Sequence, residues 1–326
     1  MAIKSCIIGF GSIAAQNIFD PVMSKNYRCS SHLQAILRQK GIELNLILES
    51  SAKSRLIAKK MTNKVEVYDK PDKAEHLVNK IELLILTTPP EKRLEFIDSF
   101  PNLKSIVVEK PLGVNLSESL IFCKKVKKKR IYCAVNYWRR YVKQFIKLKN
   151  GGLQKMLGRI QSVISIYGNG IRNNGIHLID FSRFLFGEIL SLEFIRGFKC
   201  NRSPIKNDLN IEFSGFFKSG ISFKFIPIDF SFYRDNGLQI IGEKGILSIL
   251  NDSRIMFLNK TRKNRGISNF NEVNFSKNNF INIDYDLALP NLYKEIVTKD
   301  NCNSPIENAL LNEKIVHNLV EKHKLS

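Results

Sequence analysis

The sequence predicts an α/β domain built on a parallel sheet, followed by an α+β domain with a large, open and mostly antiparallel sheet. In the first part of the chain, short apolar runs alternate with amphipathic stretches, which is typical of parallel βαβ units. Farther on, longer segments alternate apolar with polar residues, which is typical of a sheet with one face in water. Because 326 residues exceed the usual size of one domain, we place the domains at 1–137 and 138–326.

Six apolar runs of strand length predict the parallel sheet of the first domain. They are Ile3–Ile8, Glu43–Leu48, Lys64–Tyr68, Leu83–Leu86, Ser105–Val108 and Arg130–Asn136. The intervening helices are predicted at Ser31–Lys40, Lys53–Met61, Pro90–Ser99 and Ser117–Lys129. Because the strands are apolar throughout, we expect helices to cover both faces of this sheet.

The second domain combines one apolar helix with alternating strands. Ile176–Phe186 carries apolar residues at helical spacing and stops before Gly187, a residue type that commonly ends helices. Six strands are predicted at Arg159–Tyr167, Leu190–Phe198, Leu209–Phe217, Ser219–Pro227, Leu238–Gly242 and Ile246–Leu250. The polar segment Lys260–Asn279 is predicted to be a mobile loop, and helices at Leu287–Thr298 and Ser304–Lys322 are predicted to close the chain.

Composition and cysteine spacing exclude several classes of protein. A hydrophobic fraction of 44% excludes a disordered chain, and no apolar run reaches the roughly 18 residues that a membrane helix needs. The first strand begins at Ile3, which leaves no room for a signal peptide. The six cysteines are scattered without a Cys-x-x-Cys pair, so we interpret them as buried thiols rather than disulfides or zinc ligands. These features predict a cytoplasmic protein without a membrane partner and without a bound metal.

The net charge of +21 is densest in the run from Lys124 to Arg130. That run ends a predicted helix whose N-cap we assign to Ser117, and cations at a helix C-terminus complement the helix dipole. Nucleic-acid binding would predict basic residues interleaved with aromatic ones, a pattern that the sequence lacks. We therefore expect a solvated helix end and no nucleic-acid partner. The positive field would attract anionic ligands such as dinucleotides or nucleotide-sugars.

The segment Gly9-Phe10-Gly11-Ser12-Ile13-Ala14 follows the first predicted strand directly and fits the G-x-G-x-x-G/A fingerprint of a dinucleotide site. In this pattern the first glycine allows a tight turn, and the second lets the backbone approach a pyrophosphate. The small last residue allows the following helix to pack closely on the strand. The position of the motif predicts a Rossmann domain that binds a dinucleotide cofactor.

An acidic residue at the end of the second strand completes the fingerprint. Glu49 holds that place, although it comes later in the sequence than usual. We attribute the excess to an insertion, Asn17–Ser31, in which Asp20-Pro21 breaks the first helix. Glu49 would accept hydrogen bonds from the adenosine ribose and repel a 2′-phosphate, which favours NAD. The alternative is NADP, which could be accommodated by the residues that follow closely, Ser50, Ser51, Lys53 and Arg55.

Three further motifs occur in order along the chain, namely Thr87-Thr88-Pro89-Pro90, Glu109-Lys110-Pro111 and Gly175-Ile176-His177-Leu178-Ile179-Asp180. With the N-terminal glycines, they resemble the glucose–fructose oxidoreductase/inositol dehydrogenase/MocA-like family of oxidoreductases over nearly the whole chain. Glu-Lys-Pro alone is a common tripeptide, but its position after an apolar strand, with G-x-H-x-x-D downstream, makes the resemblance specific. Members of this family mostly move hydride between a nicotinamide ring and a sugar or polyol carbon.

The resemblance implies a role for each motif. Thr87, Thr88 and Pro89 would line the cofactor groove, and Glu109 would approach the nicotinamide ribose. Lys110 and His177 would be the catalytic pair beside the reacting hydroxyl. The residues implied to bind the substrate are Lys110, Tyr137, Arg140, Asn173, His177 and Asp180.

The chemistry of the two catalytic residue types supports this pair independently. Hydride leaves a carbinol carbon only when the hydroxyl proton passes to a base, and histidine titrates nearest to neutral pH. A partly desolvated lysine beside a cationic nicotinamide loses its proton more readily and would share that role. Two departures from the family weaken a longer relay. Asn173 replaces a usual aspartate and cannot take a proton, and Lys92 and Arg93 stand where a histidine usually follows Thr-Pro-Pro.

These observations support three functions. We predict a NAD(P)-dependent dehydrogenase or reductase of sugars or nucleotide-sugars in glycan or unusual-sugar biosynthesis, in which Arg139, Arg140 and Arg172 suit a diphosphate substrate. One alternative is a redox-neutral, glycosidase-type enzyme in which NAD is reduced and reoxidised within one cycle. Another is a non-catalytic, cofactor-binding regulatory protein. The open second sheet also predicts a homo-oligomer, a dimer or tetramer packed sheet to sheet.

Overall fold

In the computed structural model, which describes residues 2–275 and 279–325, parallel strands near the N-terminus form one sheet. The strands are β1 (Ile3–Ile8), β2 (Ile42–Leu48), β3 (Glu66–Tyr68), β4 (Leu83–Leu86), β5 (Ser105–Val108) and β6 (Tyr132–Val135). Their order is β3-β2-β1-β4-β5-β6, and every neighbouring pair is parallel. The strand order reverses between β1 and β4, the position at which open α/β sheets bind ligands. The predicted Rossmann sheet is confirmed.

The helices follow the predicted alternation in the first part of the chain. They are α1 (Pro21–Asn26), α2 (His32–Leu37), α3 (Ala52–Met61), α4 (Glu75–Val78), α5 (Arg93–Ser99), α6 (Leu116–Lys128), α7 (Lys143–Lys147), α8 (Leu153–Leu157), α9 (Ile176–Phe186), α10 (Ala288–Thr298) and α11 (Ile306–Leu325). All side chains of β4 are fully buried, which requires cover on both faces of the first sheet. Within the described ranges, no helix combines the length and the apolar character that a membrane span requires.

The chain divides into two compact units. The first contains the residues up to Tyr141 together with Asp286–Leu311, and the second contains Val142–Tyr285 and the residues from Asn312 onwards. The sequence placed Asp286–Leu311 with the second domain. It returns to the first unit because α10 packs against α2 and against the turn that ends at Tyr141.

The basic run lies at the C-terminal end of α6, as expected, but the N-cap lies two residues earlier than predicted. The Asn115 side chain, rather than that of Ser117, accepts the Glu118 N–H at 3.0 Å. Asparagine caps helices as well as serine does, so the correction moves the start of the helix and keeps the type of cap. Two lysines of the basic run form ion pairs with Asp98 of α5, which anchors part of this charge to the protein surface.

The second unit contains a mostly antiparallel sheet. Its strands are β7 (Ile160–Tyr167), β8 (Ile189–Lys199), β9 (Leu209–Phe217), β10 (Ser222–Pro227), β11 (Gly237–Gly242), β12 (Gly245–Leu250), β13 (Ile255–Lys263), β14 (Asn271–Val273) and β15 (Phe280–Asn282). The order is β14-β13-β12-β11-β7-β10-β9-β8, with β15 paired to β13. In this second sheet, only the β7–β10 pair is parallel among the pairs that the structure describes. The predicted mostly antiparallel sheet is confirmed.

The segment Lys260–Asn279, predicted as a loop, is partly strand. Strand β13 continues to Lys263 and pairs with β14, so main-chain hydrogen bonds stabilise a polar sequence that carries no apolar alternation. Residues 276–278 of the predicted loop lie outside the described residues. Helix α9 has the predicted bounds and ends at Gly187, whose φ of +88° is a conformation that favours glycine.

Candidate active site

The first glycine of the fingerprint is fixed by its own neighbours. Gly9 has a φ of +87°, and a Cβ atom there would lie 2.9 Å from Cγ2 and 3.0 Å from the amide nitrogen of Thr88. The Thr87 hydroxyl donates to the carbonyls of Ile8 and Gly9, at 2.9 and 2.7 Å. The turn after β1 is therefore packed directly against the turn after β4, and only glycine fits between them.

Packing within the protein does not require the second glycine of the fingerprint, Gly11. A Cβ atom on Gly11 would meet no heavy atom within 4 Å among the described residues, and both Gly11 and Ser12 are exposed. The N–H groups of Ala15 and Gln16 both bond to the Gly11 carbonyl, so a helical turn begins here. The first N–H groups of a helical turn have no acceptor within that turn. The open space over Gly11 and Ser12 thus lies at the start of a helical turn, a position that suits a phosphate group.

The predicted insertion interrupts this helix without displacing it. The N–H groups of His32 and Leu33 donate to the carbonyls of Ile13 and Ala14, at 3.1 and 2.9 Å. Helix α2 thereby continues the turn that starts at Gly11, and the intervening segment lies outside that helix. Within the segment, Asp20 caps α1, a short helix that the sequence analysis did not predict, and Pro21 occupies its first turn.

Glu49 follows β2 and lies against the glycine turn. Its Oε2 accepts the Phe10 N–H at 2.5 Å, and its Oε1 accepts the Ser51 N–H at 2.7 Å. Arg55, which the sequence left as an NADP-binding alternative, donates instead to the carbonyls of Glu49 and Ser50, at 2.9 and 2.6 Å. The carboxylate therefore has the position that the fingerprint assigns to a ribose-binding acid.

Arg93 joins two of the motifs that follow the strands. Its guanidinium group is buried in the first unit and donates to the Thr88 carbonyl at 3.0 and 2.7 Å. It also donates to the carbonyl of Glu109 at 2.5 Å and to that of Pro111. The sequence analysis identified Arg93 only as a departure from the similar family. The residues around Arg93 in the sequence do not show which carbonyls its side chain would contact.

Glu109 lies at the centre of a buried hydrogen-bond network. Its Oε1 accepts from His32 Nε2 at 2.9 Å and from Asn136 Nδ2 at 2.6 Å. The other ring nitrogen of His32 lies 2.6 Å from the Tyr293 hydroxyl. Burial acts to raise the pKa of Glu109, but the hydrogen bond and charge of His32, the Asn136 bond and the charge of Lys110 outweigh it and lower that pKa. Glu109 is therefore a carboxylate at neutral pH.

The first unit fits a dinucleotide on observations of its own. Besides the open space over Gly11 and the Glu49 carboxylate, two buried polar atoms lie at the strand ends. Within the described chain, neither Thr88 Oγ1 nor Asn136 Oδ1 has a hydrogen-bond partner. Buried polar atoms without partners are rare, and a ligand that supplies the missing bonds is one explanation. Lys110 follows Glu109 directly in the sequence and is half-buried.

In the second unit, the residues before α9 are fixed by a buried carboxylate. Asp208 accepts the N–H groups of Arg172 and Asn173, both at 3.1 Å, and the Ser203 hydroxyl at 2.8 Å. Burial raises the pKa of Asp208, although four hydrogen bonds act to lower it. A carboxylate here satisfies N–H groups that a helix start leaves without partners. His177 lies one turn farther along, in the first turn of α9, and is half-buried.

The other substrate residues implied by the resemblance are mostly buried. Asp180 is 1% exposed, and its Oδ1 accepts from Asn312 Nδ2 of α11 at 2.8 Å. Tyr137 is also buried, and Arg140 is 4% exposed and donates to the Asn303 carbonyl at 3.2 Å. Asp180 therefore joins α9 to α11, and Arg140 joins its turn to the segment before α11. Their implied roles toward a substrate remain predictions.

Comparison with known proteins gives structural rather than sequence relatives. No protein-family model and no curated protein matches the chain. Among solved structures, an oxidoreductase from Thermotoga maritima is 15% identical, with a TM-score of 0.74 over 99% of this chain and 97% of that one. The WlbA dehydrogenase from Bordetella pertussis, in complex with NADH and UDP-GlcNAcA, is 14% identical, with a TM-score of 0.69 over 99% and 97%.

A third structure comes from a regulatory protein. A super-repressor mutant of Gal80p from Saccharomyces cerevisiae is 14% identical, with a TM-score of 0.72 over 100% of this chain and 96% of that one. At these identities the likeness concerns the fold. The chain has the fold of the glucose–fructose oxidoreductase/inositol dehydrogenase/MocA-type oxidoreductases, as the resemblance in its sequence predicted.

Proposed function

We propose that the protein is a NAD-dependent oxidoreductase that moves hydride between nicotinamide and a hydroxyl or keto carbon of a sugar or nucleotide-sugar. The observation that carries the proposal is the contrast within the glycine turn. Gly9 is required by internal packing, whereas the space over Gly11 is open and Glu49 lies beside it. Packing within the protein does not require a glycine at position 11. A pyrophosphate that approaches the backbone at the start of this helical turn would explain why a glycine is there.

The residues of the chain divide the work as follows. Bound NAD supplies the hydride acceptor or donor. The backbone from Gly11 to Ile13 binds the phosphates, Glu49 accepts from the adenosine ribose, and Glu109 accepts from the nicotinamide ribose. In the oxidising direction, Lys110 and His177 are each proposed as a base that would take the hydroxyl proton of the substrate.

The choice of NAD over NADP rests on charge. The Glu49 carboxylate would repel a 2′-phosphate, and the nearby Arg55 guanidinium is already held by two main-chain carbonyls. An arginine bound in this way has fewer N–H groups to offer a phosphate. We therefore propose NAD as the preferred cofactor, in the same site that NADP would use.

The proposed substrate class is less specific than the cofactor. The net charge of +21 favours anionic ligands such as nucleotide-sugars, and WlbA was solved with one. Arg139 and Arg140 are buried, which leaves the half-buried Arg172 as the strongest candidate for a diphosphate contact. Exposed apolar side chains on β8 and β9, such as Leu190 and Phe216, support a homo-oligomer, with a light-scattering mass above that of the monomer. The proposed compartment is the cytoplasm.

The first test is a thermal-shift titration of the wild type and Gly11→Asp with NAD, NADH, NADP and NADPH. A ligand that binds the folded state raises the melting temperature, so we expect a shift with NAD and NADH that the variant loses. Turnover of a panel of sugars and nucleotide-sugars, followed by NADH absorbance, then tests the reaction. A wild type that responds to none of the four cofactors would overturn the proposal.

The likeness to Gal80p supports a second candidate, a cofactor-binding regulatory protein. The two functions differ in their dependence on Lys110. If the protein is an enzyme, Lys110→Ala abolishes turnover while NADH still binds. If it is a regulator, the same variant keeps its biological activity. Product release with solvent deuterium in the substrate, but without NADH accumulation, would instead indicate the redox-neutral reaction.

A further inference from the structure

We propose that His32 is a positioning residue of the cofactor site, which holds Glu109 in the orientation that binds the nicotinamide ribose. The inference rests on the proposed function, and it adds a residue that none of the sequence motifs contains. His32 would touch neither cofactor nor substrate. It would act through Glu109.

The geometry around His32 is complete on both sides of its ring. The side chain is 0% exposed, with Nε2 at 2.9 Å from Glu109 Oε1 and Nδ1 at 2.6 Å from the Tyr293 hydroxyl. A carboxylate only accepts hydrogen bonds, so Nε2 carries the hydrogen that points to Glu109. On the other side of the ring, the 2.6 Å contact between Nδ1 and the Tyr293 hydroxyl fixes the ring in one orientation.

The hydrogen bonds orient the Glu109 carboxylate and leave the side chain partly exposed. His32 and Asn136 both donate to Oε1, so Oε2 is the oxygen that the proposed ribose contact uses. The Glu109 side chain is 13% exposed, whereas His32 is fully enclosed. Two hydrogen bonds to one oxygen hold the carboxylate plane in one orientation. A carboxylate that is already held in place binds a hydroxyl with a smaller loss of side-chain entropy.

The chain reaches this arrangement by way of the insertion. The backbone N–H of His32 donates to the Ile13 carbonyl, so His32 lies one helical turn beyond the glycine turn in space. In the sequence, the insertion Asn17–Ser31 separates the two. His32 thus connects the phosphate-binding turn, through its backbone, with Glu109, through its side chain. A shift of either would move the other.

The test separates the two sides of the ring with a matched pair of variants. The side-chain amide of glutamine reaches about as far as Nε2 of histidine, and that of asparagine about as far as Nδ1. His32→Gln therefore keeps a donor to Glu109 and loses the Tyr293 contact, whereas His32→Asn does the reverse. Both substitutions place a neutral amide at a buried position, so their general cost to folding is similar. Tyr293→Phe removes the remaining hydroxyl alone.

We expect the dissociation constant for NADH, measured by fluorescence titration of the full chain, to rise about tenfold in His32→Asn, the scale of one hydrogen bond to a charged group. His32→Gln and Tyr293→Phe should stay within about threefold of the wild type, since both keep the donor to Glu109. In a Glu109→Gln background, His32→Asn should cause no further loss, because it acts through Glu109.

Each contrary result has its own meaning. Equal affinities for the glutamine and asparagine variants would overturn the role of His32 and leave the proposed function intact. Additive losses in the double variant would also overturn it, because His32 would then act elsewhere. A wild type that binds no NADH would overturn the proposed function and this inference together. If His32→Asn does not fold, a tenfold loss in the folded His32→Gln would equally contradict the proposal.

Discussion

The two units hold their candidate functional residues with side chains of opposite charge. In the first unit, strand ends expose carbonyl oxygens, and the buried cation Arg93 donates to three of them, those of Thr88, Glu109 and Pro111. In the second, the start of a helix exposes N–H groups, and the buried carboxylate of Asp208 accepts them. The difference follows from the backbone, since strand ends at a ligand site present acceptors and helix starts present donors.

The comparison teaches where positioning residues are found. The side chains proposed to meet the cofactor or substrate lie in recognisable motifs. The charged groups that fix those motifs lie outside them, on α5 and before β9. Their effects on stability and on binding are therefore separable, and the following substitutions are ordered from the largest expected effect to the smallest.

The largest effect is expected from removing the cation in the first unit. Arg93→Met leaves three buried carbonyls without their donor, and we expect the free energy of unfolding to fall by about 3 kcal/mol or more. Chemical denaturation measures it. The neighbouring Lys92 is exposed, so Lys92→Met is the matched control, with a change within about 0.5 kcal/mol. A small effect at Arg93 would show that water replaces the guanidinium and would break the comparison.

The second prediction separates the two glycines of the turn. Gly9→Ala should lower the free energy of unfolding by about 1–3 kcal/mol, because alanine resists a φ of +87° and its Cβ meets Thr88. Gly11→Ala should leave stability within about 0.5 kcal/mol and weaken NADH binding instead. Denaturation and fluorescence titration on both variants check the contrast. Equal losses of stability would show that Gly11 also has a structural role.

The two buried carboxylates should respond to pH with opposite signs. The lowered pKa of Glu109 means that its stabilising effect is present above the usual value of about 4.3 and is lost as the pH falls through the lowered pKa. The raised pKa of Asp208 means that its contribution is greatest below about 3.9 and declines as the pH rises through the raised pKa. We therefore compare the free energy of unfolding of the wild type with that of Glu109→Gln and of Asp208→Asn. The advantage of the wild type over Glu109→Gln should shrink as the pH falls below about 4.3, and its advantage over Asp208→Asn should shrink as the pH rises above about 3.9. Changes in the same direction with pH would contradict the assignment.

The smallest effect is expected at Asn173, where many members of the similar family have aspartate. Its Nδ2 donates to the Asn169 carbonyl at 3.2 Å, and its N–H donates to Asp208. Asn173→Asp replaces that donor with a second anion near Asp208, so we expect a loss of about 1 kcal/mol. Asn173→Ser, which keeps a hydroxyl donor, is the control. A more stable aspartate variant would show that the asparagine is there for the reaction rather than for the helix start.

Much of the fold was predictable because it depends on local pattern. Strands β1, β4 and β5 and helix α9 have the predicted bounds, since their apolar residues are continuous or regularly spaced and their ends are marked by glycine or polar residues. The strands β13 to β15 were missed: β14 and β15 are only three residues long, the second half of β13 is polar, and their hydrogen-bond partners come from elsewhere in the chain.

The candidate site divides in the same way. The sequence by itself determined the glycine turn, Glu49 at the end of β2, and the order of the motifs, because each is marked by residue types next to a predicted strand or helix. Only the tertiary structure decided that His32 meets Glu109 across 77 residues, that Arg93 reaches three carbonyls, and that Asp208 caps the helix before His177. A buried charge is satisfied by whichever backbone or side-chain group folding brings near it, and residue spacing does not record that choice.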